Sequence, residues 1–192
     1  MKNNRTNLLL VLALIVFAVI SRIISNEMQW FNLAPVTAVG LFAGAVVKDK
    51  RYAFLFAILG QLGGDLYFQF FTNTPGFYGV DQAFVYISLL AVTALGFLMN
   101  QPKAMKVLGF SFAAAVLFFI VSNFGVWVAI QTGKADMFGY GTGITGLMNT
   151  YIAALPFFKN TLIATVGGSI LLFGAYHVLQ TGFGSRLESA KA

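Results

Sequence analysis

Cysteine is absent from this sequence, and charged residues are scarce. Of its 192 residues, 9% are Asp, Glu, Lys or Arg, whereas soluble domains usually carry about 25%. The missing cysteine excludes disulfides, thiolate metal sites and a cysteine nucleophile. The missing charge means that the chain lacks the groups to coat a water-facing surface. A soluble globular domain is therefore not expected.

What the sequence does contain is largely apolar. Hydrophobic residues make up 58% of it, including 21 Phe, and there are 20 Gly. Glycine is more frequent in membrane helices than in soluble ones, so we expect an all-α integral membrane protein. The formal net charge of +6 would suggest a nucleic-acid partner in a soluble protein, but the placement of the positive residues offers a better explanation.

Six apolar segments are candidates for membrane crossing, which takes about 20 mostly apolar residues. The predicted spans are 8–24, 33–47, 52–71, 82–99, 107–130 and 160–180. The second is short, so it is predicted to be tilted or partly buried in the bundle. Segment 143–158 contains Asn149, Tyr151 and Pro156, and we interpret it as an interfacial or re-entrant helix before the last span. The chain is predicted to be one six-helix membrane domain over residues 1–192.

The positive residues are distributed unevenly between the two sides of this bundle. Lys2, Arg5, Lys48, Lys50, Arg51, Lys103, Lys106, Arg186 and Lys191 fall on one side, and Arg22, Lys134 and Lys159 on the other. Lys and Arg are enriched in cytoplasmic loops, so both termini are predicted to be cytoplasmic. The excess positive charge then reflects topology, and no nucleic-acid partner is expected.

Asp65 is the only acidic residue inside a predicted span. A rise of about 1.5 Å per residue places it roughly 20 Å along the third span, in the outer half of the bilayer. An ionisable residue there is costly and is a functional-site hypothesis by default. Gln61 and Gln69, four residues away on either side, share its helix face.

A structural interpretation of Asp65 is also open. Its carboxylate could hydrogen-bond a neighbouring helix, as polar residues often do in membranes. Two G-x-x-x-G pairs, Gly40 with Gly44 and Gly60 with Gly64, are typical of helices that pack closely. In the sixth span, Thr161, Thr165 and Ser169 recur every fourth residue and are predicted to face inward together.

Other polar and aromatic side chains are predicted at the same outer side. The stretch "SNFGVW" brings Asn123 and Trp127 there, although it could also be only a helix end with an aromatic anchor. The loop "NTPGFYG" could fold over a site. In the predicted substrate site, Asp65 and Gln61 bond or charge-pair with a small molecule, Asn123 and Asn149 orient it, Trp127 and Tyr151 stack on it, and Asn32 lies at the outer end of the second span.

No catalytic pattern accompanies these residues. Ser169 follows two glycines but lacks the second half of a G-x-S-x-G elbow. His177 would lie about 12 Å further along the same helix, too far to hydrogen-bond with that serine. No H-E-x-x-H, no P-loop and no paired carboxylates within the spans occur. We therefore predict no enzyme, no catalytic residue, no metal and no cofactor.

Four segments taken in order resemble a family of small bacterial membrane proteins of unassigned function. They are "NLAPVTAVGLFAGA", the Asp-containing third span, "SNFGVW" and "YIAALPFFKNTL", which together cover about 32–176. That family is similar to the S-components of energy-coupling factor transporters. The similarity implies a six-helix protein of the bacterial inner membrane that captures a vitamin or related micronutrient from outside.

The same resemblance implies an ATPase-driven energy-coupling module as a partner. The first helix departs from the A-x-x-x-A spacing that S-components use for docking, since Phe17 stands four residues after Ala13 and Arg22 four residues after Ala18. A solitary proton-coupled carrier is therefore an alternative, because one intramembrane Asp is compatible with proton coupling. A membrane scaffold without transport activity is a further alternative.

Overall fold

The computed structural model describes residues 3–30 and 32–189, with the side chains of 12–30 and 32–180. Within these ranges all regular structure is helical. The helices are α1 (Asn3–Glu27), α2 (Val36–Val46), α3 (Lys50–Phe71), α4 (Val80–Gly96), α5 (Ala104–Gln131) and α6 (Gly143–Ser189). The predicted all-α class is confirmed.

Three of these helices are long and apolar enough to cross a membrane. They comprise Lys50–Phe71, Ala104–Gln131 and Gly143–Gln180, and the search covers only the described residues. Val36–Val46 and Val80–Gly96 are shorter apolar helices. At about 1.5 Å per residue, an 11-residue helix reaches about 16 Å, which is half of a hydrocarbon core of about 30 Å.

The short helix α2 lies at the centre of the bundle. Nine of its eleven residues, Val36 through Gly44, are buried, and α2 contacts each of the other five helices. Phe42 packs edge-on against Phe173 of α6, with ring centroids 5.0 Å apart. The prediction that the second apolar segment is partly buried in the bundle is confirmed.

The prediction of a separate interfacial or re-entrant helix at 143–158 is wrong. This segment and the predicted last span form one continuous helix of 47 residues, with Pro156 inside it. Proline removes a helical hydrogen bond and crowds the preceding turn, but membrane helices tolerate it where neighbouring groups pack around the site. Here α5 supplies such a neighbour, because the rings of Phe119 and Phe158 lie 4.9 Å apart.

Glycines set the closest helix crossings. A Cβ on Gly44 of α2 would collide with the backbone of α4, including the Cα of Gly96 at 3.0 Å. A Cβ on Gly60 of α3 would lie 2.9 Å from the Cβ of Ala18 in α1, and a Cβ on Gly64 would overlap the Arg22 guanidinium. The close packing predicted from the two G-x-x-x-G pairs is thus confirmed.

Candidate binding cavity

A cavity of about 350 Å³ lies toward the end of the bundle where α1, α3 and α5 finish and the other helices begin. Small-molecule sites in proteins are usually about 300–1,000 Å³. Its lining residues are Arg22, Asn32, Ala34, Val36, Thr37, Gln61, Tyr78, Asp81, Val85, Phe118, Phe119, Ser122, Asn123, Val126, Ala154, Phe157 and Thr161. The cavity therefore combines aromatic walls with a few polar and charged groups, the usual composition of a ligand site.

Asp65 forms a buried cluster beside this cavity. Its carboxylate accepts hydrogen bonds from Arg22 Nη2 at 2.6 Å, Gln82 Nε2 at 2.9 Å and the Tyr86 hydroxyl at 2.6 Å. Gln61 Nε2 lies 3.2 Å from Oδ1. The other terminal nitrogen of Arg22 donates to the Gln61 carbonyl oxygen. Asp65 is fully buried, so these neighbours replace the solvation that its charge loses on burial.

The cluster shows what the polar face of α3 does. Gln61 and Arg22 line the cavity, whereas Asp65 lies behind that wall with both oxygens already hydrogen-bonded. Its contacts match the structural interpretation, in which the carboxylate joins neighbouring helices. Gly64 makes this arrangement possible, because a side chain there would occupy the place of the Arg22 guanidinium. Direct contact between Asp65 and a substrate stays a prediction.

Three of the seven predicted site residues line the cavity. They are Asn32, Gln61 and Asn123. The Asn123 side-chain amide donates to the Phe119 carbonyl at 2.8 Å, one helical turn earlier, and its residue is half-buried. Ser122, Asn123 and Val126 of "SNFGVW" line the cavity, whereas its aromatic residues Phe124 and Trp127 do not.

Trp127, Asn149 and Tyr151 are outside the lining and bond to backbone carbonyls instead. The hydrogen bonds run from Trp127 Nε1 to the Gly143 oxygen (2.9 Å), from Asn149 Nδ2 to the Tyr140 oxygen (2.9 Å), and from the Tyr151 hydroxyl to the Ile120 oxygen (2.7 Å). These bonds connect α5, the α5–α6 loop and α6. Their predicted roles in orienting and stacking on a substrate stay predictions.

The predicted inward face of α6 is confirmed. Thr161, Thr165 and Ser169 are all buried. Thr161 lines the cavity, and Thr165 donates to the Thr161 carbonyl at 2.7 Å. The four-residue spacing therefore brings one hydroxyl to the candidate site and keeps the next within the helix packing.

A second ion pair lies at the cavity, and the sequence interpretation did not include it. Asp81, in the first turn of α4, accepts from Lys134 Nζ at 2.6 Å through Oδ2. Lys134 belongs to the α5–α6 loop, and its ammonium also lies 3.3 Å from the Tyr78 carbonyl oxygen and 5.6 Å from the Tyr78 ring centroid. Lys134 thereby connects the α5–α6 loop to the α3–α4 loop and to the first turn of α4, at the predicted outer end.

Tyr78 belongs to the loop "NTPGFYG" that was predicted to fold over a site, and it lines the cavity. Burial, followed by the nearby charges of Asp65 and Asp81, raises the pKa of Tyr78 to about 12. The phenol is consequently protonated at physiological pH and can donate a hydrogen bond. Gln82 holds this loop, because its side chain accepts from the Tyr78 N–H at 3.2 Å and donates to the Gly76 carbonyl at 2.7 Å.

The α5–α6 loop that carries Lys134 has its own anchor. The Asp136 carboxylate accepts from the backbone N–H groups of Gly141 at 2.7 Å and Tyr140 at 2.9 Å. These bonds lower the pKa of Asp136, since they stabilise its charged form. The charged carboxylate therefore holds the loop at neutral pH, and the hold is lost only as the pH falls through that lowered pKa.

Taken together, the fold is that of a helical membrane protein with a polar-lined cavity near one end of its bundle. The chain belongs to DUF6580, a family of unknown function, whose model matches residues 2–187. No curated protein and no solved structure matches the sequence. The family assignment agrees with the predicted membership of a family of unassigned function.

Proposed function

We propose that this protein binds a small molecule in the cavity at the outer end of its bundle and takes part in uptake of that molecule. The observation that carries the proposal is the cavity itself, which has the size and mixed lining of a ligand site. A scaffold that only fills space in the membrane needs no such cavity. The proposed role is that of an S-component-like binding protein for a micronutrient.

The orientation of the cavity supports uptake from outside. Its lining comes from the end of the bundle opposite the positive residues Lys48, Lys50, Arg51, Lys103 and Lys106. Under the positive-inside rule that positive end is cytoplasmic. We therefore propose that both termini are inside. The resemblance to S-components adds to this proposal the bacterial inner membrane, six crossings and an ATPase-driven module as partner.

Topology is tested by reporter fusions. A reporter joined after Lys103, in the α4–α5 connection, is expected to be cytoplasmic. The same reporter joined after Lys134, in the α5–α6 loop, is expected to be outside, because α5 is long and apolar enough to cross. Alkaline phosphatase and green fluorescent protein fusions give opposite signals for the two locations. Equal signals at both sites would contradict the orientation and with it the outward-facing cavity.

The cavity is tested by filling it. Ala154 of α6 lines the cavity, so Ala154→Phe places a ring inside it. Small molecules extracted from the detergent-purified wild type are expected to include an enriched compound that is lost from this variant, as read by mass spectrometry. Ala175→Phe is the matched control, because Ala175 is an exposed residue of the same helix. A compound retained equally by both variants would place its site elsewhere.

A further inference from the structure

Asp81 has one carboxylate oxygen without a hydrogen-bond partner among the described residues. Its Oδ2 binds Lys134, whereas its Oδ1 is buried and unpaired. The residue is 9% exposed and lines the cavity. Buried polar groups are nearly always hydrogen-bonded, and an unsatisfied one is costly, most of all when it is charged. Because Asp81 lines the cavity, a molecule bound there could supply the missing hydrogen-bond donor.

We propose that Asp81 anchors the substrate through Oδ1 and that the substrate carries an ammonium or comparable N–H group on an apolar body. This inference rests on the proposed binding function and adds the chemical class of the ligand. The hydrogen bond between an N–H cation and a carboxylate is of the strong, charge-assisted kind. This hydrogen bond would satisfy the unpaired oxygen of Asp81, the one carboxylate among the described lining residues.

The local structure stabilises the negative charge of Asp81, but it provides no hydrogen-bond donor for Oδ1. Asp81 lies in the first turn of α4, where the helix dipole favours negative charge. Lys134 neutralises that charge from the opposite loop, but it binds Oδ2 and the Tyr78 carbonyl. Neither effect places a hydrogen-bond donor on Oδ1.

The aromatic part of the lining suits the ligand body, and Asp81 itself disfavours an anion at this point. Phe118, Phe119 and the Tyr78 ring offer apolar and aromatic surface, on which a cation is also attracted to the ring faces. A ligand carboxylate next to Asp81 would meet a like charge in a poorly solvated space. An amine would instead share the carboxylate with Lys134, whose side chain is 42% exposed and can swing into water.

Three matched probes test the ligand class: phenethylamine, 2-phenylethanol and phenylacetate. They share a phenyl ring on a two-carbon chain and differ in the terminal group, which is cationic, neutral or anionic. Thermal unfolding of the full-length protein in detergent is followed with each probe at millimolar concentration. Phenethylamine is expected to raise the Tm of the wild type most, 2-phenylethanol less, and phenylacetate not at all.

Two variants and a control assign the effect to Asp81. Asp81→Asn is expected to weaken phenethylamine binding by about tenfold or more, whereas Asp49→Asn, the same change at an exposed residue at the opposite end of the bundle, leaves it unaltered. Lys134→Met removes the competing ammonium and is expected to strengthen phenethylamine binding several-fold. If Asp81→Asn fails to fold, Lys134→Met still tests the inference. Unchanged or weaker phenethylamine binding by Lys134→Met would contradict a competition between Lys134 and the ligand for Asp81.

Other outcomes overturn the inference and separate it from the proposed function. Equal binding of phenylacetate, unaltered binding by Asp81→Asn, or no binding of any probe would refute an amine site at Asp81. If a compound is still extracted from the wild type and lost from Ala154→Phe, but lacks an N–H donor, the binding function stands and only the ligand class is wrong. If neither a compound nor a probe binds, both are wrong.

Discussion

Arg22→Met is expected to destabilise the protein by about 3–5 kcal/mol, the usual cost of removing one partner from a buried ion pair. The guanidinium lies 2.6 Å from the fully buried Asp65 carboxylate, and its side chain is 14% exposed. Without it, Asp65 keeps only neutral donors, Gln61, Gln82 and Tyr86. Unfolding in mixed micelles, titrated with a denaturing detergent, measures the change.

The double variant separates charge pairing from other effects of the substitution. Asp65→Asn alone leaves an unpaired guanidinium and is expected to be similarly destabilising. Arg22→Met combined with Asp65→Asn removes both charges, so its cost should be less than the sum of the single costs by a few kcal/mol. Arg51→Met, an exposed arginine in the first turn of α3, is the matched control. Additive costs would show that the two charges do not depend on each other.

The ion pair also connects stability with binding. Arg22 is at once the partner of Asp65 and part of the cavity wall. Loss of a ligand from an Asp65 variant therefore has two explanations, direct contact or displacement of Arg22. Lining residues that take no part in the cluster, such as Ala154, give the cleaner test of binding.

Gly44→Ala is expected to destabilise the protein by about 1–3 kcal/mol, the typical cost of overpacking a close contact. The added methyl group would collide with the backbone carbonyl of Thr93 and lie 3.0 Å from the Cα of Gly96. Backbone atoms cannot rotate away as a side chain can, so α2 and α4 must separate. Because α2 touches every other helix, that shift is expected to disturb the whole bundle. The same detergent titration measures it.

Gly109→Ala is the matched control for this crossing. Gly109 lies within α5 and has no atom within 4 Å of an added Cβ. The substitution should be neutral or stabilise by up to about 1 kcal/mol, because alanine favours the helix over glycine. If the two variants behave alike, the α2–α4 crossing does not depend on the absence of a side chain at Gly44.

Sequence patterns predicted the elements of this fold well, and the exception is informative. Hydrophobic runs predicted the helical class, because a chain so poor in charge has few alternatives to burying its backbone in helices. The sequence prediction failed around Pro156, where polar residues and the proline suggested that one helix ends and another begins, although the helix is continuous. Whether a proline interrupts a helix depends on the packing around it, and α5 provides that packing here.

The sequence by itself determined that Asp65, an ionisable residue within a predicted span, would be costly to leave unpaired, while only the tertiary structure decided how its charge is satisfied. Asp65 stands out in its span, and the same predicted spans already contained an opposite charge in Arg22, a signal that could have suggested their pairing. Asp81 and Lys134 lie 53 positions apart at segment ends, where charges are ordinary, so no local pattern marks them. Hydropathy depends on neighbours in the chain, but a cavity and an unpaired carboxylate oxygen depend on neighbours in space.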